Sequence, residues 1–172
     1  MLTVQDAQTR QALGGLILAC AALYPDAVIL DVDAFYCANI DEFPRQAESA
    51  RNAEVLLLPP GELEVASLPP ILLARRKLVV IDDLNSLSSL AVDGVRSHQL
   101  EALMSILSYN TRINNSWLIA TTFRTEAGSK RTKARRSLSE LGDVLVEAQL
   151  GEGLLKLKTG QASGWPGNEL EV

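Results

Sequence analysis

Residues 77–87 read KLVVIDDLNSL. Leu78 to Ile81 are consecutive apolar residues, and Val79, Val80 and Ile81 are β-branched, the side-chain shape that packs well on a pleated strand. A short unbroken apolar run of this kind marks a strand buried on both faces, as in a parallel sheet. Similar runs occur at 27–32 (AVILDV), 55–58 (VLLL) and 117–122 (WLIATT). Helical or mostly helical stretches alternate with them. Gln5 to Tyr24 is stopped by Pro25, Ile40 to Asn52 is polar, and Arg96 to Tyr109 carries Leu100, Leu103, Met104, Ile106 and Leu107 at helical spacing. Residues 62–76 contain Pro69-Pro70, so any helix there is short. A short helix is expected around 137–141, then strands at 144–148 and 154–158 joined by the turn Gly151-Glu152-Gly153. The expectation is a single α/β domain over 1–172, with a mostly parallel sheet, a C-terminal antiparallel hairpin and an extended tail at 160–172.

Composition narrows the function classes. Hydrophobic residues make up 47% of the 172 residues, enough for a sizeable core, and with 5% aromatics that core is aliphatic. A net charge of −5 argues against a protein that coats nucleic acid with its whole surface. Cys20 and Cys37 lack metal-ligand spacing and read as small buried hydrophobes. His98 is the single histidine, on the surface of a helix, which excludes a multi-histidine metal site. The apolar run from Leu13 to Leu23 lacks the basic flank of a signal peptide and is too short to span a bilayer, so a cytoplasmic location is expected.

Asp82 and Asp83 are the first candidates for chemistry. Ligands bind at the carboxyl ends of parallel strands, and a carboxylate there is what a Walker B strand uses to hold Mg²⁺ or its water. The same residues would serve equally to cap the turn that follows. Asp31 and Asp33 flank Val32 at the end of another strand; turn capping suits them better than catalysis.

The segment LVVIDDLNSL resembles the Walker B strand and following turn of the RecA/RadA recombinase superfamily, which includes KaiC-type ATPases. AVILDVDAFY (27–36) is similar to the family's second core strand, and SWLIATTFRTE (116–126) to the strand leading into its second DNA-binding loop. Residues 142–172 resemble the terminal hairpin and Pro-containing tail of RadA-like proteins. The resemblance implies a RecA-like three-layer core. It also has a gap: the family's GxxxxGK[ST] should precede the first helix, yet Gly14-Gly15 has no Lys-Ser or Lys-Thr after it, and Lys158-Thr159 lies in the last strand region. Without loop amides and a lysine to replace the hydration of a triphosphate, independent ATP hydrolysis is not expected. No cofactor and no metal ligand set are expected either.

Lys130, Arg131, Lys133, Arg135 and Arg136 place five cations in seven residues with no acid among them, leaving −10 on the rest of the chain. The resemblance makes this the second DNA-binding loop, with Arg124 in support. Cations so clustered can displace counterions from phosphates with no sequence preference, or dock an acidic partner. No aromatic residue is interleaved, so stacking on bases is not supported. Trp117 is expected to pack, and Trp165 to anchor the tail or a partner.

Three functions fit. The first is a non-catalytic RecA/RadA-like accessory protein in DNA recombination and repair, binding single-stranded DNA through the basic loop and modulating a recombinase. The second is a degenerate scaffold subunit of an oligomeric or regulatory complex that does not touch DNA. The third is an ATPase completed in trans by a partner's P-loop, with Asp82 as metal ligand. The resemblance implies a homo- or hetero-oligomer in each case.

Overall fold

The computed structural model describes residues 2–4, 6–57, 76–90, 94–123, 145–152, 154–160 and 169–171. Its elements, in chain order, are β1 (Leu2–Val4), α1 (Ala7–Ala22), β2 (Val28–Asp31), α2 (Phe35–Asn39), a 3₁₀ turn (Ile40–Glu42), α3 (Pro44–Ser49) and β3 (Glu54–Leu57). They continue with β4 (Leu78–Asp82), α4 (Leu84–Leu90), α5 (Gly94–Ile113), β5 (Trp117–Phe123), β6 (Leu145–Gly151), β7 (Leu154–Gly160) and β8 (Glu169–Glu171). The sheet runs β3-β2-β4-β5-β1-β6-β7-β8. Pairings from β3 through to β6 are parallel, and β6-β7 and β7-β8 are antiparallel. The fold is therefore α/β with a mostly parallel sheet and an antiparallel C-terminal hairpin, as the sequence suggested.

Alternation along the strands divides the core in two. Val28, Leu30, Val79, Ile81 and Ala120 pack with Leu84 and Leu87 of α4 and with Leu100, Leu103, Met104 and Leu107 of α5. Ile29, Leu78 and Val80 face the other way, against Leu13, Ile17, Leu18 and Ala21 of α1 and against Tyr36 and Phe43. Both faces of β2 and β4 are thus covered, which is why their sequences are apolar without a break. Each fully buried Leu, Ile or Val contributes about 1.5–3 kcal/mol of transfer free energy.

Several elements had no clear sequence signal. β1 is only Leu-Thr-Val, yet it lies between β5 and β6. Residues 169–171 of the tail add a strand beside β7 through the pairs Lys158↔Glu169 and Lys156↔Glu171. Helix α4 spans LNSLSSL, where the serines conceal the helical period. The expected short helix at 137–141 and the crossover at 62–75 lie outside the described residues. Among the described residues no helix is long and apolar enough to cross a membrane.

Candidate site at the carboxyl ends of the sheet

Asp31 ends β2 and Asp82 ends β4, and the two are register partners on adjacent parallel strands. Ile29 and Val80 precede them by two positions and face α1, so the period-2 alternation turns both carboxyls toward α1 as well. Asp31 is 0% exposed and Asp82 2%. Thr121 of β5 falls on the same side, and its hydroxyl donates to Oδ1 of Asp82.

The opposing charge comes from α1. Asp6 caps that helix, accepting the amide of Thr9 at 2.8 Å and the Thr9 hydroxyl at 2.8 Å. Thr9 Oγ1 in turn accepts the amide of Leu150 at 3.0 Å, which ties the start of α1 to β6. One residue on, Arg10 reaches across the strand ends. Its Nη1 and Nη2 donate to both oxygens of Asp33 at 2.6 Å, and Nη2 also approaches Oδ2 of Asp82 at 3.4 Å. The guanidinium stacks 4.1 Å from the centroid of Phe35, a cation–π contact on a partly buried ring.

The energetics of the cluster follow from its burial. Desolvation pushes the Asp82 carboxyl above its ordinary value, and the Arg10 charge and Thr121 hold it partly back. For Arg10, burial works against the charge, but the carboxylates of Asp33 and Asp82 outweigh it, so the guanidinium stays charged. Tyr36 lies beneath this network, 1% exposed. Burial first, then the field of Asp82, lifts its phenol well above the usual range. Its hydroxyl makes no hydrogen bond of ordinary geometry, and neither does Oδ1 of Asp31; Oδ2 of Asp31 accepts the amide of Cys37 at 3.1 Å.

Asp83 has a different task from its neighbour. Its Oδ1 accepts the amide of Asn85 at 2.7 Å and its Oδ2 the hydroxyl of Ser86 at 3.1 Å, so it caps α4. Burial raises its carboxyl, and these hydrogen bonds oppose the rise. Of the two strand-end aspartates, Asp83 is the cap and Asp82 the ion-pair partner. Asp31 also serves the turn before α2, in line with the expectation from sequence, whereas Asp33 is recruited by Arg10.

Two features bear on nucleotide chemistry. Between the end of β1 and the start of α1 stand only Gln5 and Asp6, with the Asp6 carboxylate on the first-turn amide of Thr9. An anion bound at that helix start would meet a fixed negative charge. Across the strand ends, the guanidinium of Arg10 contacts the carboxylates a cation would need. Among the described residues, no three His, Cys, Asp or Glu side chains are arranged to hold a metal ion.

The other candidates fall elsewhere. Arg124, Lys130, Arg131, Lys133, Arg135, Arg136 and Trp165 lie outside the described residues. The single histidine, His98, is exposed on α5. Trp117 was expected to pack but is 64% exposed: as the first residue of β5 it stands at the margin of the α1-side layer, where too little covers it. Cys37 was expected to be buried and is exposed, because α2 turns Tyr36 inward and the next position outward. Arg10, which organises the cluster, carries no local signal in the sequence. Compared with known proteins, the sequence matches no family model and no curated protein.

Proposed function

We propose that the chain is a non-catalytic, RecA/RadA-like accessory protein in DNA recombination or repair. In this reading it lacks an ATPase of its own and contacts single-stranded DNA through Arg124, Lys130, Arg131, Lys133, Arg135 and Arg136. The observation that carries the non-catalytic half is the ion network of Arg10 with Asp33 and Asp82 at the strand ends. The Walker-B-like carboxylate is engaged from within the chain, and the start of α1 is closed by Asp6. The sheet, parallel through β6 with an antiparallel terminal hairpin, is compatible with the RecA-like core that the sequence resembles. The DNA-binding half rests on the basic run 130–136 and its place after β5.

The test is fluorescence anisotropy with labelled single- and double-stranded DNA at several salt concentrations, without nucleotide. Binding should weaken steeply with salt, with a log–log slope of roughly −0.7 for each single-strand phosphate neutralised. Reversing charge at Arg135 and Arg136 together should flatten that slope by about 1.4. No binding at low salt would overturn the DNA-binding reading and leave the scaffold. ATP turnover that emerges only on mixing with a partner carrying a P-loop would overturn the non-catalytic reading in favour of completion in trans.

A further inference from the structure

Helix α5 has two apolar faces. Leu100, Leu103, Met104 and Leu107 are buried against the sheet. On the solvent side Ala102, Ile106, Tyr109 and Ile113 recur at spacings of four, three and four, the a/d period of a coiled-coil seam. Ile106 is 52% exposed, Tyr109 68% and Ile113 64%. The core requires only the first face. The second costs solubility, and among the described residues nothing buries it.

We propose that this face is the contact between two copies of the chain, with the α5 helices antiparallel about a two-fold axis. The pairing and the charges of the seam favour a second copy. When the seam is reversed, Ala102 falls opposite Ile113 of the partner copy, a small side chain against a large one, and Ile106 opposite Tyr109. A two-fold contact requires this reciprocity, residue i meeting j while j meets i. The only full charge on the exposed positions between 99 and 113 is Arg112. Antiparallel pairing sets the two Arg112 residues about 14 Å apart along the helix axes, beyond the screening length at physiological salt, whereas parallel pairing sets them side by side. The exposed positions of the seam carry no carboxylate, which disfavours a basic partner and costs a second copy nothing.

The area is adequate for a weak dimer. Half to two-thirds of each of the three large side chains stands in water, on the order of 400 Å² per copy. Even with the exposed flanks of Gln99, Ser105 and Arg112, the face stays below the ~800 Å² per partner of a standard interface, in the range of weak, transient contacts. This surface is remote from the strand-end cluster, on the opposite side of the sheet, so the inference stands independently of the DNA reading.

Sedimentation equilibrium tests it. For a small contact of weak association, the wild type is expected to be a dimer at about 100 µM and a monomer at about 1 µM. Ile106→Glu and Tyr109→Lys are each expected to be monomeric across that range, with an unchanged circular dichroism spectrum because both positions are exposed. An equimolar mixture of the two variants should associate again, since the register sets the introduced carboxylate of one copy against the introduced ammonium of the other. A wild type that stays monomeric at every concentration, or a dimer indifferent to both substitutions, overturns the proposal. Single variants that dissociate but fail to associate on mixing overturn the antiparallel register.

Discussion

Asp31 and Asp82 stand side by side at the ends of adjacent parallel strands, both buried, facing the same helix. Two buried carboxyls in such proximity need a counter-charge, and Arg10 provides it through Asp82 and the more exposed Asp33.

Removing that counter-charge should be costly. Arg10→Ala is expected to destabilise the protein at pH 7 by about 2–4 kcal/mol, because it strands buried carboxylates and also loses the contact with Phe35. Arg10→Lys should recover only part of this, since an ammonium cannot bond both Asp33 oxygens in the planar bidentate fashion. Urea denaturation of the three proteins at pH 7 measures the ranking, and equal midpoints for Ala and wild type would remove Arg10 from its assigned role.

The same cluster sets a dependence on pH. Asp82 and Asp83 have folded-state pKa values above those of the unfolded chain. The folded protein therefore binds more protons than the unfolded one over the interval between the two values. Their contribution to stability should decline as pH rises from about 4, the ordinary carboxylate value, through the raised values. Asp6 runs the other way: its lowered pKa, from the Thr9 amide and hydroxyl, gives a small stabilisation lost on acidification. Denaturation midpoints from pH 4 to 8 should show the decline, and Asp82→Asn should flatten it.

Asp83→Ala should behave as a lost helix cap. The expected cost is about 1 kcal/mol, with little change in the pH profile attributed to Asp82. A loss much larger than that would show that Asp83 belongs to the ion network and is not confined to α4.

Gly14 connects the core to the site. A Cβ at this position would lie 2.7 Å from Cε1 of Phe35, the ring on which Arg10 stacks. Gly14→Ala gains about 1 kcal/mol of helix propensity but forces that ring to shift, at a typical overpacking cost of about 1–3 kcal/mol. Net destabilisation of about 1 kcal/mol is expected, and a double-mutant cycle with Arg10→Ala should give coupling clearly different from zero.

Calorimetry with ATP and Mg²⁺ examines the closed strand ends directly. Affinity should be no tighter than roughly millimolar (−4 kcal/mol), since Asp6 and Arg10 occupy the positions that phosphate and cation would need. Micromolar affinity would contradict the internal-occupancy argument.

The strands β2, β4 and β5 were legible because burial on both faces demands apolar runs, and the hairpin because Gly151-Glu152-Gly153 marks its turn; Glu152 there adopts a left-handed φ of 54°. β1 was not legible because three residues are too few to show a period. The site was half legible. Asp82 and Asp83 stood out at a strand end, but the partners that separate their roles are a helix cap next door and an arginine 72 residues upstream. Arg10 looks like any exposed helical cation until the fold brings Asp33 and Asp82 beneath it.

The place of β1 has a consequence for how the chain comes off the ribosome. Leu2, Thr3 and Val4 pair with Thr121, Thr122 and Phe123 on one side and with Val146, Glu147 and Ala148 on the other. A segment synthesised well before β5 and β6 must therefore wait for both before its backbone groups are paired on both edges. Contacts of such sequence separation are slow to close, and they make completion of the sheet a late event. A nascent chain halted before residue 145 would hold β2, β4 and β5 but leave one edge of β1 open, a binding edge for whatever strand reaches it first.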